Sequence, residues 1–235
     1  MELNEIVNKI EAFGTPQIKN VLSNHGICEP FFGAKIADLK KLVKFVKKND
    51  DLAKELYKTG IYDAMYLAAL SINPKSMSKE ELKGWIDKAY CYPIAEYIVA
   101  TVTAGSDYAV ELAKEWITSE NEMIAACGWS TYSIYISVAE DNLIDINEIG
   151  YLLNKIEANI RNEKNRVKYT MNGFIIDVGT YITELNEKAL KVAINIGKVN
   201  VLMNKTSCKV PLAKEIIEKM INMDKIGIKR KKYIC

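Results

Sequence analysis

The 235-residue chain carries 32 Lys and Arg against 30 Asp and Glu, a formal net charge of +2, and 49% of its residues are apolar. That is ordinary globular composition with enough apolar side chains for a real core, so it excludes a low-hydropathy disordered chain and leaves room for one large domain or two small ones. The apolar run over 94–104 is too short to span a bilayer and contains Glu96, and the amphipathic start MELNEIVNKIEAF is unlike a secretory leader, so neither membrane insertion nor secretion is expected.

The first predicted element is an amphipathic helix over 3–12 with Leu3, Ile6, Ile10 and Phe13 inward. Gly14, Thr15 and Pro16 read as a turn before a second short helix ending near Ser23, and Gly26, Pro30 and Gly33 punctuate an irregular connector. The stretch 31–72 organises the rest. Its first half sets Ile36, Leu39, Val43, Phe45 and Val46 on an apolar stripe, with Lys40, Lys41, Lys44, Lys47 and Lys48 on a solvated face opposite. After Asn49, Asp50 and Asp51 a short helix carries Leu52, Leu56 and Tyr57 inward and stops at Gly60. The alanine-rich run that follows, with Ala64, Ala68 and Ala69, suits close approach by a neighbouring helix.

Ser78 and Glu81 have capping-box spacing ahead of a helix bearing Leu82, Trp85 and Ile86. Pro93 suits the first turn of the next helix, whose expected buried side is Ile94, Tyr97, Ile98, Thr101 and Val102, ending at Gly105. A helix over 107–117 follows, then a Ser119/Glu122 box before an apolar helix over 123–138, and an Asp145/Glu148 pair before a helix through Ile160. The basic residues of 161–168 lead into a largely buried helix by Tyr169, and helices over 184–196 and 211–220 are separated by an irregular link in which a strand over 199–203 is allowed. About a dozen helices in two-helix units of roughly 35 to 40 residues fit an all-α, HEAT-like helical repeat solenoid, an alpha-alpha superhelix, with a compact irregular bundle as the alternative. The expected organisation is a single domain over 1–224 and a basic tail over 225–235.

Cys28, Cys91, Cys127, Cys208 and Cys235 include no CxxC pair and are odd in number, as expected of reduced thiols in a cytoplasmic protein. With His25 the sole histidine, no metal site is expected and no cofactor is implied. The small net charge hides a division: residues 1–160 hold 16 basic and 23 acidic side chains, a net of −7, and residues 161–235 hold 16 basic and 7 acidic, a net of +9. Such asymmetry points to an anionic partner near the carboxyl-terminal third.

The passage FFGAKIADLKKLVKFVKKNDDLAKELYKTGIYDAMYLAALSINPKSMSKEEL resembles the DNA alkylation repair family, through an FGxKxxDLRK-like start, an LAxELxxTGxYDAxxLAAL unit and a SINP turn. The likeness continues through WIDKAYCYPIAEY, ITSENEMIAACGW and RNEKNRVKYTMNGFIIDVG, and so covers most of the chain. The resemblance implies HEAT-like repeats whose positively charged concave surface holds double-stranded DNA. In the family's glycosylase branch it also implies metal-free hydrolysis of the N-glycosidic bond of N3- or N7-alkylated purines. The alkylated base is already cationic and leaves readily, so such an enzyme chiefly stabilises the developing sugar cation and a water. That branch relies on a carboxylate, two aromatic side chains and an arginine. Carried to this chain, Tyr92 stands for the first tryptophan, Glu96 for the aspartate and Phe174 for the second tryptophan, whereas the arginine falls on Ala126 and an arginine one turn beyond the second tryptophan becomes Asp177.

On one helical face, Tyr92 and Glu96 place a carboxylate where it can orient water or stabilise positive charge; the other reading is a boundary glutamate paired with lysine or tyrosine. Asn172 and Asp177 flank Phe174 and either line the same catalytic site or satisfy one another between repeats. Arg161, Lys164, Arg166 and Lys168 are candidate phosphate contacts, and Lys229, Arg230, Lys231 and Lys232 form a second basic cluster; each set reads alternatively as solvated surface. A monomer is expected. Three functions stay open: an alkylpurine glycosylase, a noncatalytic DNA-binding relative and a helical scaffold for protein partners.

Overall fold

The computed structural model describes residues 1–233; the last two positions of the expected basic tail, Cys235 among them, lie outside the described residues. Among the described residues there are thirteen α-helices, short 3-10 turns, one π-helical stretch and no strand. They form two compact units, Met1–Tyr108 with Met203–Ser207, and Ala109–Leu202 with Cys208–Tyr233.

In the first unit, α1 (Leu3–Phe13) buries Ile6 and Ile10, and α2 (Pro16–Asn24) begins on the proline rather than after it. Thr15 caps α2 by accepting from the Ile18 N–H at 3.3 Å, and proline at the first helical position lacks only a proton that has no partner there. α3 (Ile36–Val46) buries Leu39, Leu42 and Val46. Ile36 and Phe45, expected on that stripe, are 46% and 43% exposed, because the i, i+3, i+7 row through Leu39 is the one that faces inward. α4 (Asp50–Lys58) is capped by Asn49, and its Tyr57 ring stacks on Trp85 of α6 (Lys79–Asp87) with centroids 3.8 Å apart. The Tyr57 hydroxyl then donates to the Trp85 carbonyl at 2.7 Å. The Ser78/Glu81 box at the start of α6 is present in both directions.

α5 (Tyr62–Ser71) is buried almost all round. Its Asp63 carboxylate accepts from the N–H groups of Phe32, Gly33 and Ala34 at 2.6, 3.4 and 2.8 Å, which satisfies a connector that has no regular structure of its own. Gly33 has φ +82, and a Cβ there would lie 2.8 Å from the Lys19 backbone nitrogen, so this position admits only glycine. The π-helical stretch Ile94–Val99 then runs into α7 (Ala100–Ala104). Its wider turn offsets the α-helical register. Tyr97, expected inside, is therefore 49% exposed, and Glu96 is inside at 2%.

In the second unit, α8 (Ala109–Trp116) packs on α9 (Glu122–Val138), and α9 on α11 (Asn165–Tyr181). A Cβ on Gly128 of α9 would lie 2.6 Å from the Ile117 backbone nitrogen, so glycine permits that approach. The expected Ser119/Glu122 box is replaced by an Asn121 cap, whose Oδ1 accepts from the Met123 and Ile124 N–H groups. Glu122 is thereby released to accept from the Arg166 N–H at 2.6 Å. α10 (Ile146–Asn159) is capped by Asp145, and α12 (Asn186–Ile196) and α13 (Ala213–Asn222) complete the unit. The strand allowed over 199–203 does not form; there Leu202 pairs with the Asn165 side chain instead of with another strand.

The basic tail is docked on the second unit as far as residue 233. Gly227 N–H donates to the Thr180 carbonyl and Arg230 N–H to the Ser137 carbonyl, each at 2.8 Å. Lys229 donates to the Ile136 carbonyl at 2.9 Å and pairs with Asp141 at 3.0 Å.

Candidate nucleic-acid interface

Of the expected catalytic residues, Glu96, Asn172 and Phe174 are buried inside their units, and Tyr92 and Asp177 are half-buried. Glu96 is 2% exposed on the π-helical stretch of the first unit, with Tyr92 half-buried at its start. Phe174, expected to face a base, is a core residue of the second unit: its ring meets Trp129 edge-on at 5.2 Å and Tyr132 at 5.8 Å, and no part of it reaches solvent. The reason is periodicity, since the buried row of α11 runs through Val167, Met171, Phe174 and Val178. Asn172 is 1% exposed and donates to the Pro211 carbonyl at 3.0 Å, so it ties α11 to the segment before α13. Asp177 is half-buried, and burial pushes its carboxyl up to about 7, while the Ser133 hydroxyl and the Arg230 guanidinium pull it back down.

The basic residues separate into those already engaged and those left available. Lys164 donates to the Glu120 carbonyl and lies 4.0 Å from its carboxylate. Arg166 is 9% exposed, with its guanidinium over the Tyr169 ring at 4.3 Å. Lys229 is taken up by Asp141, and the Arg230 guanidinium faces Asp177; Lys231 and Lys232 stay exposed. The tail cluster of four cations thus leaves two exposed, Lys231 and Lys232.

Arg161 and Lys168 instead open onto a cavity of about 290 Å³, lined also by Ile160, Ile196, Lys198, Val199 and Asn200. Three elements build it. The 3-10 turn Ile160–Asn162 at the end of α10 presents Arg161, the first turn of α11 presents Lys168, and Gly197 (φ +62) ends α12 so that the chain can fold back with Lys198. Ile160, Ile196 and Val199, at 1%, 6% and 7% exposure, form the apolar floor beneath these cations. Arg161 is oriented by donating to the Asn195 carbonyl at 3.4 Å. Lys168 and Lys198 make no ion pair among the described residues, and no carboxylate lines the cavity. Lys198 and Asn200 are absent from the sequence-level candidates. The signal that marks them is Gly197 directly after an amphipathic helix, a stop that returns the next residues over the preceding turn.

Three cations over an apolar floor, with no carboxylate in the lining, are suited to an anion that presents several oxygens, as a nucleic-acid backbone does. Among the described residues no group of His, Cys, Asp and Glu is placed to hold a metal ion, and no helix is long and apolar enough to cross a membrane.

Fold and site together define an all-helical repeat protein with a cation-lined cavity. The family model described as DNA alkylation repair enzyme matches residues 6–210, and the chain belongs to that family. It is 34% identical over 224 residues to an uncharacterized protein of Listeria innocua, covering 93% of this chain and 97% of that one. It is likewise 34% identical over 227 residues to an uncharacterized protein of Listeria monocytogenes, covering 94% and 98%. A solved structure superposes with a TM-score of 0.92 at 34% identity over 98% of both chains. That structure represents a family of proteins related to the HEAT-like repeat DNA glycosylases with affinity for branched DNA structures. The fold is therefore HEAT-like, as the helix count and repeat length led one to expect.

Proposed function

We propose that this protein binds branched double-stranded DNA, gripping backbone phosphates with Arg161, Lys168 and Lys198. The observation that carries this reading is the cavity they share, with its lack of a lining carboxylate. The branched-DNA affinity of the structural relative supports the choice of ligand. Excision of N3- or N7-alkylated purines, with Glu96 as the carboxylate, draws support from the family to which the chain belongs. It is the weaker reading, because a side chain 2% exposed does not reach a sugar from where it stands.

The test is binding to a four-way junction, a fork and a linear duplex over a range of salt, with the wild type and an R161A/K168A/K198A variant. Each phosphate contact contributes about 0.9 to the slope of log affinity against log salt. Loss of three contacts therefore lowers the slope by about 2.7, so the wild-type advantage shrinks about 40-fold between 50 and 200 mM salt. Equal slopes would overturn the assignment of these residues, and wild-type affinity for none of the three DNAs would overturn the reading itself. Release of a methylated purine by the wild type and not by E96Q would establish excision.

A further inference from the structure

The link that closes the basic cavity carries a feature that phosphate contact does not use. Leu202 is 81% exposed, more than any other large apolar side chain among the described residues. Its backbone, however, is fixed: the N–H donates to Asn165 Oδ1 at 2.7 Å, and the carbonyl accepts from Asn165 Nδ2 at 3.0 Å. A lone exposed leucine on a surface needs no explanation. One whose two backbone groups are both clamped by an amide at the start of a helix is held out in a set position. The clamp uses one donor and the acceptor oxygen of the Asn165 amide on this one residue.

The location matters as much as the exposure. Asn165 precedes Lys168 by three positions on α11, about 4.5 Å along the helix axis. Asn200, in the cavity wall, precedes Leu202 by two positions. Through Asn165 and Asn200 an apolar side chain is thus anchored within three positions of Lys168 on α11 and two positions of the cavity wall. We propose that Leu202 is a wedge that enters the base stack at a branch point while Arg161, Lys168 and Lys198 hold the flanking phosphates. In a continuous duplex the wedge must first unstack a base step, whereas at a branch the terminal pair of each arm has already lost a stacking neighbour. Selectivity for branched DNA then arises with no base-edge contact. The inference rests on the DNA-binding reading above and adds to it the residue that separates branched from linear DNA.

The experiment places 2-aminopurine at the branch of a four-way junction, and at a matched position in a linear duplex, and measures binding and fluorescence with the wild type, L202A and L202M. Wild type and L202M should raise the junction fluorescence as the reporter unstacks. L202A should keep its linear-duplex affinity, lose about tenfold of its preference for the junction, and leave the reporter quenched. An L202A protein with an unchanged junction preference and an unchanged fluorescence rise overturns the wedge while leaving phosphate contact intact. A wild type that binds neither DNA overturns the underlying reading instead, so the two failures are distinct. Because Leu202 is a surface side chain, its truncation leaves folding essentially unchanged.

Discussion

Asp177→Asn should flatten the pH dependence of stability between roughly pH 4 and pH 7. Burial raises the Asp177 carboxyl from 3.8 to about 7, and the Ser133 hydroxyl and the Arg230 guanidinium only partly oppose it. The folded chain therefore keeps a proton that the unfolded chain gives up, and stability falls as pH rises from the unfolded pKa to the folded one, with the loss complete above about 7. A shift of about three units at 1.36 kcal/mol each is about 4 kcal/mol, and the solvent at the partly exposed edge of Asp177 trims this to about 2–3 kcal/mol. The acidic groups with the opposite sign act elsewhere on the scale. Burial of the Glu81 carboxyl is outweighed by Lys54 and the Ser78 N–H, so its pKa is lowered and its stabilisation is lost only as pH falls below the normal carboxylate range. Urea unfolding of wild type and D177N at pH 4, 5, 6, 7 and 8 isolates this contribution as a difference. The wild type should lose about 2–3 kcal/mol relative to D177N across that series. Parallel profiles would refute the reasoning, since a carboxylate already ionised at pH 5 has no such proton to lose.

Two further outcomes follow from packing. Phe174→Ala removes a ring that meets both Trp129 and Tyr132 in the core of the second unit, and unfolding free energy should drop by about 3–5 kcal/mol in urea titration. Phe174→Leu, which keeps most of the volume, should cost well under half of that. Asp63→Ala leaves the N–H groups of Phe32, Gly33 and Ala34 without their acceptor and should cost about 3 kcal/mol, with loss of amide-exchange protection confined to the connector over 28–35. Asp63→Asn retains one acceptor oxygen and should fall between the two.

Much of the fold was legible because each signal was local. Gly60, the Ser78/Glu81 box and the alanines of α5 each act within a turn or two of themselves, and each does in three dimensions what its spacing suggests. The failures share a different cause. Tyr97 and Glu96 exchange places because a π-helical turn changes the register, and periodicity read at 3.6 residues per turn carries no term for that. Lys229 was legible as a charge but not as a partner for Asp141, 88 positions earlier, because a run of like charges says nothing about what the chain folds back onto. The same holds for the basic site. Arg161, Lys164, Arg166 and Lys168 stood out together as a cluster of four, yet that Lys164 is spent on Glu120 and the Arg166 N–H on Glu122 depends on how the chain at the start of α9 lies against α11.

That sorting bears on how the proposed DNA binding and the proposed excision divide among the residues. Excision, as the resemblance describes it, asks for a carboxylate and an arginine; the proposed carboxylate, Glu96, sits on an inward-facing π-helical turn, and the position the resemblance sets against the arginine is the buried Ala126. Phosphate contact asks only for cations on rigid elements with no competing acid, and Arg161, Lys168 and Lys198 meet that condition. The two demands fall on different residues, so substitution can remove one without touching the other. Glu96→Gln is accordingly expected to leave affinity for branched DNA unchanged. A matching loss of binding in that variant would mean that the carboxylate, and not the basic cavity, organises the DNA-binding surface.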